Sequence, residues 1–569
     1  MQRFRKVGVV RLALLVLGLV IIWLVIKGLA IWWVLPPAAA FIALAIVQAR
    51  ITQARRRCER AAGLYDQGLA RLNDRWAGKG ATGERFVDAS HPYAEDLDLF
   101  GHGSLFELLS TARTRVGEET LAHWLLSPAA PDVVLARQAA VVELRPQLDL
   151  REDLALLGEG VRSGEDSQAL AAWAAAPPWR VSPVKEIIAV VLALLAVITF
   201  ILWITGFGLL PLLLAVVSGQ IYTFLHQAEV KRVISAIDAP GRDLSLLSSV
   251  MSRLERERFS SPRLVELRAA LDVDGQTPSQ QIAKLNRLID LLDARRNMMF
   301  APFAALLLWP LQLSFAIERW RQNSGPAVAR WLAAVGELES LGSLASYSYE
   351  HPAHPFPEVV DEGPCFEGEG LGHPLIPESQ SVRTDLAVGD ELRVLIVSGS
   401  NMSGKSTLLR TLGTNTVLAL AGAPVCARRL RLSPLQVGAS IRIQDSLQAG
   451  ASRFYAEITR LRQIVELTNG SLPVLFLLDE ILHGTNSHDR RIGAEGVVRG
   501  LVERSAIGLV TTHDLALANI AEVLSPRAAN VHFEDHLEDG KMTFDYLLRP
   551  GVIQRSNALE LMRSVGLEV

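Results

Sequence analysis

The segment LIVSGSNMSGKSTLLRTLG, which begins at Leu395, constrains the fold more than any other part of this 569-residue chain. An apolar run ends at a glycine, a loop of small and polar residues follows, and a helical pattern begins at Gly-Lys-Ser-Thr. The loop fits the pattern G-x-x-x-x-G-K-[ST] from Gly399 to Ser406. A strand that leads through such a loop into a helix favours a phosphate-binding loop (P-loop) over a chance glycine-rich turn. The segment therefore predicts an α/β domain in the C-terminal part of the chain.

The residue types in this loop fit the binding of a nucleoside triphosphate. Gly399 and Gly404 allow the backbone to curl so that its N–H groups face phosphate oxygens, and the helix dipole adds positive charge there. We expect Lys405 to reach the β- and γ-phosphates and the Ser406 hydroxyl to coordinate Mg²⁺. The predicted ligands are therefore ATP and Mg²⁺. The predicted contact residues are Gly399, Ser400, Asn401, Met402, Ser403, Gly404, Lys405, Ser406 and Thr407.

Two carboxylates follow a later apolar run. In the segment SLPVLFLLDEILHGTNSHDR, which begins at Ser471, residues 473–478 predict a strand that ends at Asp479 and Glu480. Such a pair is a weak signal alone, because many strands end in acids, but its position downstream of a P-loop strengthens it. We expect Asp479 to hold Mg²⁺ through its water shell and Glu480 to orient or deprotonate the attacking water.

A histidine ends a third apolar run. The segment IGLVTTHDLAL begins at Ile507 and places His513 directly after the predicted strand. A lone histidine is usually structural or merely exposed. The order of strands favours a functional role, in which His513 contacts the γ-phosphate or the catalytic water and reports hydrolysis.

Two apolar stretches each have room for a pair of membrane-spanning helices, which need about 20 apolar residues apiece. The predicted spans are 9–27 and 30–48, then 187–204 and 209–225, in a chain whose mean hydropathy is +0.25. Basic residues flank both pairs while the short turns carry almost none, so the flanks are expected to be cytoplasmic. We therefore expect a multi-pass protein in contact with the lipid bilayer, in a bacterial inner membrane, with its P-loop domain in the cytoplasm. The alternative is that each pair is a buried core hairpin.

A fifth apolar segment, residues 298–317, contains Pro302, Pro310 and Gln312. A fifth crossing would place the P-loop on the opposite side from the four flanks. We therefore expect a buried or membrane-surface helix here.

The motifs together resemble those of the MutS family. The similar stretches are GSNMSGKST at the P-loop, LLDEILHGTNSHDR at the acid pair, TTHDLAL at the histidine and GHPLIP at the entry to the domain. The stretch that contains Ser452 and Phe454 resembles the family's Ser-x-Phe signature. The resemblance implies that Ser452 reaches the nucleotide of a partner subunit, in a homodimer formed through the ATPase domain.

The resemblance continues upstream, where DLDLFGHGSLFELLSTARTRVGEETLAHWLLSPAA, from Asp96, is similar to the start of the family's lever domain. It implies an α/β P-loop ATPase domain of the ABC type at the C-terminus, preceded by an all-α lever or core domain with transmembrane hairpins. The predicted domains are an N-terminal hairpin at 1–57, lever segments at 58–184 and 233–355 around a second hairpin at 185–232, and the ATPase at 356–569.

The resemblance implies a membrane-anchored ATPase in which hydrolysis moves the lever, and it implies binding of mismatched or branched DNA. We expect the mismatch-reading N-terminal domain to be missing, because fewer than 90 residues precede the lever and the first 50 are assigned to the membrane hairpin. A basic stretch, residues 428–432, is a candidate DNA contact or ordinary surface charge. The alternatives are an ABC-type transporter, a membrane-remodelling ATPase without DNA binding, and an inactive scaffold. The transporter is disfavoured because QAGASRF stands where its Leu-Ser-Gly-Gly-Gln signature is expected.

Overall fold

The computed structural model describes residues 18, 20–21, 23–24, 26–28, 30–158, 172–177, 179, 182–237, 241–271, 277–297, 300–400, 402–442, 453–538 and 541–552. The chain divides into two compact units, Met1–Ala70 and Arg71–Val569. The finer division into five segments stays a prediction.

One long helix, α1 (Leu35–Leu72), dominates the described part of the first unit and follows a 3₁₀ turn at Ile31–Val34. Pro36 and Pro37 lie in its first turn, where backbone N–H groups have no intrahelical partner. The predicted span 30–48 is therefore the beginning of a 38-residue helix and does not end near residue 48. The predicted span 9–27 lies largely outside the described residues.

A helical region opens the second unit. Its first helices are α2 (Leu105–Leu109), α3 (Arg115–Leu126), α4 (Pro131–Leu144) and α5 (Leu148–Gly158). Later helices are α8 (Gln227–Ile237), α9 (Gly241–Glu255), α10 (Pro262–Leu271) and α11 (Pro278–Asp293). Several of these pack against α13 (Trp309–Glu350), a 42-residue helix that buries Trp331 and Tyr347 and extends over about 63 Å at 1.5 Å per residue.

An apolar hairpin separates these two groups of helices. It consists of α6 (Pro183–Ile204) and α7 (Leu210–Leu225), joined through Gly206 and Gly208, both of which have positive φ. These bounds agree closely with the predicted ranges 187–204 and 209–225. Among the described residues, only α6 is long and apolar enough to cross a membrane, while α7 is apolar but shorter. Most long apolar side chains of both helices are exposed.

The fifth apolar segment is not one helix. It forms the short helix α12 (Ala301–Leu306) and the first turns of α13, with a break at Leu308, whose φ is +49°. Leu311, Phe315 and Ile317 are buried, which agrees with the interpretation of a buried helix. Met298 and Met299 lie outside the described residues.

A mixed α/β region follows the helical region. A six-stranded sheet has the order β10-β9-β4-β8-β7-β6, and its neighbours are parallel except for the antiparallel pair β9 and β10. Its strands are β4 (Val394–Ser398), β6 (Gln436–Ser440), β7 (Val474–Leu478), β8 (Ile507–Thr512), β9 (Ala528–Glu538) and β10 (Lys541–Pro550). A second sheet of order β1-β5-β2-β3 contains β1 (Glu358–Val359), β2 (Phe366–Leu371), β3 (Thr384–Val388) and β5 (Arg429–Leu432).

Helices cover the larger sheet, and they are α14 (Lys405–Ala421), α15 (Arg453–Leu467), α16 (Ser487–Glu503) and α17 (Leu515–Val523). The strands β4, β7 and β8 are buried along their whole length, as expected for a parallel sheet covered by helices. Their carboxyl ends therefore meet at one edge, where α/β folds place their ligand sites.

Polar contacts of Asp96 and Asp98 join the helical region to the α/β region near that edge. The Asp96 carboxylate accepts hydrogen bonds of 2.7 Å from the backbone N–H groups of Ile441 and Arg442. Arg410, on the helix after the P-loop, forms a 3.0 Å ion pair with Asp98. The loop before α2 is thereby attached to the end of β6 and to α14.

Candidate functional site

The P-loop connects β4 to α14. Gly404, with φ of +101°, precedes the helix, and a Cβ atom there would lie 3.1 Å from the Tyr546 ring. Met402 also has positive φ, which is uncommon for a residue other than glycine, and its side chain is exposed. Asn401, another predicted contact residue, lies outside the described residues.

Lys405 lies inside this loop. Its Nζ donates hydrogen bonds of 2.9 Å to Gly399 O and 2.8 Å to Ser400 O, and it lies 3.8 Å from Glu480 Oε1. Burial lowers the pKa of Lys405, although the Glu480 and Asp479 carboxylates oppose that effect. The ammonium group is therefore held at the mouth of the loop with few competing water molecules, which strengthens its attraction for an anion.

The predicted pair of Mg²⁺ residues is in direct contact. Ser406 Oγ donates a 2.5 Å hydrogen bond to Asp479 Oδ2, and Thr511 Oγ1 donates to Asp479 Oδ1. Strands β7 and β8 run side by side with Leu478 opposite Val510, so Asp479 follows opposite Thr511. Both carboxylate oxygens are thereby oriented, and a hydroxyl and a carboxylate are oxygen ligands of the kind that Mg²⁺ prefers.

Glu480 and His513 lie at the ends of the same two strands. The Glu480 N–H donates to Thr511 O at 3.2 Å and to Thr511 Oγ1 at 3.1 Å, while φ of Glu480 is +48°. His513 Nδ1 lies 3.4 Å from Glu480 Oε1. The structure therefore brings together Lys405, Ser406, Asp479, Glu480 and His513, which belong to three separate motifs in the sequence.

Lys405, Ser406, Asp479 and Glu480 line a cavity of about 900 Å³. The P-loop and the two acids form one end of the cavity, and several apolar side chains line the rest. The apolar side contains Leu371, Leu375, Ile376, Pro377, Val382, Phe533 and Tyr546. Such a combination of an apolar wall and a few convergent polar groups is typical of small-ligand sites.

Sequence reasoning missed several of the lining residues. The GHPLIP stretch was interpreted only as an entry to the domain, yet buried His373 accepts a 3.2 Å hydrogen bond from the Leu375 N–H and lines the cavity. Burial lowers the pKa of His373 to about 4. Tyr546 reaches the cavity from β10, and neither its spacing nor its neighbours in the sequence signal that position.

Ser452 lies outside the described residues, but the helix after it is described. Buried Glu457 on α15 accepts a hydrogen bond from the Leu482 N–H, in the loop that follows Glu480. Phe454 packs against the same loop, because a Cβ atom on Gly484 would lie 3.0 Å from Phe454 Cβ. The segment after Ser452 is thus attached to the loop that carries Glu480.

The basic stretch at residues 428–432 is paired with acids. Arg428 lies 3.2 Å from Asp385, Arg429 lies 3.3 Å from Glu358, and Arg431 lies 3.1 Å from Glu367. The positive charge of this stretch is therefore balanced within the smaller sheet. Of its two interpretations, the structure favours ordinary surface charge.

Comparisons with known proteins agree with this arrangement. Residues 395–568 match the family described as MutS domain V. The chain is 34% identical over 250 residues to "DNA mismatch repair protein MutS 2" of Halobacterium salinarum, covering 42% of this chain and 27% of that protein. It is 35% identical over 262 residues to "Endonuclease MutS2" of Thermus thermophilus, covering 44% of this chain and 32% of that protein.

A plant protein is also similar. "DNA mismatch repair protein MSH6" of Arabidopsis thaliana is 29% identical over 269 residues, which cover 44% of this chain and 20% of that protein. The chain thus spans about a third or less of the length of the curated relatives that it matches. Together with the P-loop and the order of the strands, these matches show that the C-terminal part of this chain, residues 395–568, is similar to MutS domain V.

Proposed function

We propose that this chain is a membrane-anchored ATPase of the MutS type, which binds MgATP in the 900 Å³ cavity and hydrolyses it. The observation that carries the proposal is the convergence of Lys405, the Ser406–Asp479 pair and Glu480 at the end of the parallel sheet. The ATP-hydrolysing class is also supported at the level of the family.

Each polar residue has a distinct part in the proposed reaction. Lys405 and the P-loop N–H groups bind the phosphates, and Ser406 and Asp479 would hold a Mg²⁺ ion, which would supply positive charge next to the phosphates. Glu480 orients or deprotonates the attacking water, and His513 contacts the γ-phosphate or that water. The apolar wall of the cavity accommodates the adenine ring of ATP.

The catalytic assignment is tested with Glu480→Gln in the purified full-length protein. The variant is expected to bind ATP as the wild type does and to lose turnover, because the amide cannot accept the proton from water. Lys405→Ala is the matched comparison, since it is expected to lose binding as well. Turnover of Glu480→Gln at the wild-type rate would contradict the assigned base.

The proposal includes a homodimer in which Ser452 of one subunit completes the site of the other. A mixing experiment tests it. Each site combines the P-loop of one subunit with Ser452 of the other, so homodimers of Lys405→Ala and homodimers of Ser452→Ala are both expected to be inactive. In a heterodimer of the two variants, both changes fall in one site, and the other site keeps an intact Lys405 and an intact Ser452. Recovery of turnover on mixing supports a contribution across the dimer, and no recovery contradicts it.

The membrane part of the proposal is supported by the hairpin of α6 and α7. Long apolar side chains such as Ile187, Leu194 and Leu214 are exposed on these helices, whereas small residues such as Ala189 and Ala193 are buried. This is the distribution expected when lipid surrounds a helix pair that packs through small residues. A reporter fused after Val569 is expected to lie in the cytoplasm, and a periplasmic signal would overturn the proposed topology.

DNA is proposed as a partner because the names of two relatives refer to DNA mismatch repair. The second candidate is a membrane-remodelling ATPase that does not bind DNA, and because the arginines at 428–432 are paired with acids, that stretch adds no support for DNA binding. ATP turnover measured with homoduplex, mismatched and branched DNA separates the two. Stimulation by one form supports DNA coupling, and an unchanged rate with all three supports the second candidate. An ABC-type transporter is not favoured.

A further inference from the structure

We propose that Glu480, His483 and His513 form a binding site for a divalent transition-metal ion such as Zn²⁺. Each of the three side chains offers one ligand atom, and these atoms all lie within 4.8 Å of one another. The site is distinct from the Mg²⁺ position proposed at Ser406 and Asp479.

The spacing fits tetrahedral coordination. Zinc bonds to imidazole nitrogen and carboxylate oxygen are about 2.0–2.2 Å long, so two ligand atoms on one ion lie about 3.4 Å apart. The separation of His513 Nδ1 and Glu480 Oε1 is 3.4 Å. The rings of His483 and His513 have centroids 5.1 Å apart, and the exposed His483 side chain offers its ligand nitrogen within 4.8 Å of the other two ligand atoms.

The backbone holds the three ligands close together. Glu480 is attached through its N–H to Thr511, two residues before His513. His483 follows Glu480 in a loop in which Leu482 has φ of +57° and is held by Glu457. Two of the three ligands therefore come from one anchored loop and the third from the adjacent strand end, so the site is assembled from elements of the ATPase fold.

The ligand set selects the type of metal. Two imidazoles and one carboxylate suit Zn²⁺ and other late transition-metal ions, whereas Mg²⁺ prefers oxygen ligands and near-octahedral geometry. Three protein ligands leave a fourth position for water or a phosphate oxygen. His483 and His513 are both exposed, and His483 also lines the cavity, which provides a path for entry.

Metal binding at this position has a consequence for hydrolysis. A carboxylate that coordinates a cation is a poorer proton acceptor, and Glu480 is the proposed base. Zn²⁺ bound here is therefore expected to slow ATP turnover while ATP still binds. This consequence rests on the proposed function, whereas metal binding itself does not.

The test measures metal binding without nucleotide. Full-length, tag-free protein in detergent is stripped with a chelator and titrated with Zn²⁺ by calorimetry, and with Co²⁺ while its ligand-field absorption is recorded. The wild type is expected to bind one ion per chain with the intense absorption of tetrahedral Co²⁺. His483→Ala and His513→Ala are each expected to weaken binding at least about tenfold. His488→Ala, an exposed histidine on α16 outside the cluster, is the matched control and is expected to bind as the wild type does.

Equal Zn²⁺ affinity in the wild type and in His483→Ala would overturn the proposed site. A loss of Zn²⁺ affinity in His488→Ala as large as that in His483→Ala would overturn it as well. The inhibition is measured separately, as the ATP turnover of the wild type with and without one equivalent of Zn²⁺. If Zn²⁺ binds through the three residues but turnover is unchanged, the metal site stands and the role of Glu480 as base fails.

Discussion

Ser406 Oγ and Asp479 Oδ2 are joined by a 2.5 Å hydrogen bond, which connects the helix after the P-loop to the end of β7. The other oxygen of the same carboxylate accepts from Thr511 on β8. The orientation of Asp479 is therefore fixed from two neighbouring elements, and a change in either partner is expected to alter the proposed Mg²⁺ position.

The first prediction concerns Thr511. Thr511→Val removes the hydroxyl that orients Asp479 while keeping the shape of the side chain, and turnover is expected to fall about tenfold, as is common for groups that orient metal ligands. Thr511→Ser keeps the hydroxyl and is expected to restore most of the rate. The measurement is ATP turnover against Mg²⁺ concentration, and equal rates in the valine and serine variants would contradict the prediction.

A second prediction concerns Glu457, whose carboxylate accepts from the Leu482 N–H behind the loop of Glu480. Glu457→Ala leaves that N–H without its acceptor and loosens the loop, so we expect kcat to fall while the KM for ATP changes little. Glu457→Gln keeps a carbonyl acceptor and is expected to recover part of kcat. Steady-state kinetics of both variants check this, and an effect confined to KM would argue for a role in binding.

The third prediction is a dependence of stability on pH through His373. Its pKa is about 4 in the folded chain, against 6.5 for an unperturbed histidine. The unfolded state therefore binds more protons between these values, and the free energy of unfolding falls as the pH decreases from 6.5 towards 4. His373→Asn, which can still accept from Leu375, is expected to flatten this slope in denaturant melts, while His102→Asn at an exposed position leaves it unchanged.

A fourth prediction concerns the ion pair between Arg71 and Glu350, which is bidentate with both distances at 2.6 Å and largely shielded from water. Arg71→Met alone leaves an uncompensated buried carboxylate and is expected to lower the free energy of unfolding by about 3–5 kcal/mol. The double variant Arg71→Met with Glu350→Met removes both charges and is expected to lie closer to the wild type. A double variant less stable than Arg71→Met would contradict this account.

The fifth prediction distinguishes a lipid-facing hairpin from an exposed surface. Leu194 lies near the middle of α6 and is 56% exposed. If lipid surrounds this helix, Leu194→Arg costs roughly 2.5–3.5 kcal/mol and lowers the amount of protein in the membrane fraction. In water the same change would be neutral or would improve solubility. Leu194→Ala serves as the control, and normal membrane yield of the arginine variant would refute a lipid-facing position.

The sequence predicted those parts of the site that depend on spacing along the chain. Gly399 to Ser406 form one local motif, and Asp479, Glu480 and His513 each follow a recognisable apolar strand. Parallel strands bring their carboxyl ends together, so these separate motifs meet once the sheet forms.

The parts that sequence reasoning missed depend on contacts between distant segments. Thr511 orients Asp479 only because β7 and β8 pair in a particular register, and Tyr546 reaches the cavity only because β10 returns along β9. The fifth apolar segment was predicted as one helix, whereas a left-handed residue, Leu308, divides it. A leucine carries no local signal for that conformation, which is usually taken by glycine or asparagine.

The length of α13 limits how motion can pass between the apolar hairpin and the α/β region. An α-helix resists shortening because each turn is closed by its own hydrogen bonds. Pro326 is the one interior proline of α13, so it marks the place where a bend costs least. A displacement at one end of α13 is therefore transmitted to the other end as tilt, rotation or axial sliding of the helix, and not as compression. Any bend in the helix is expected near Pro326.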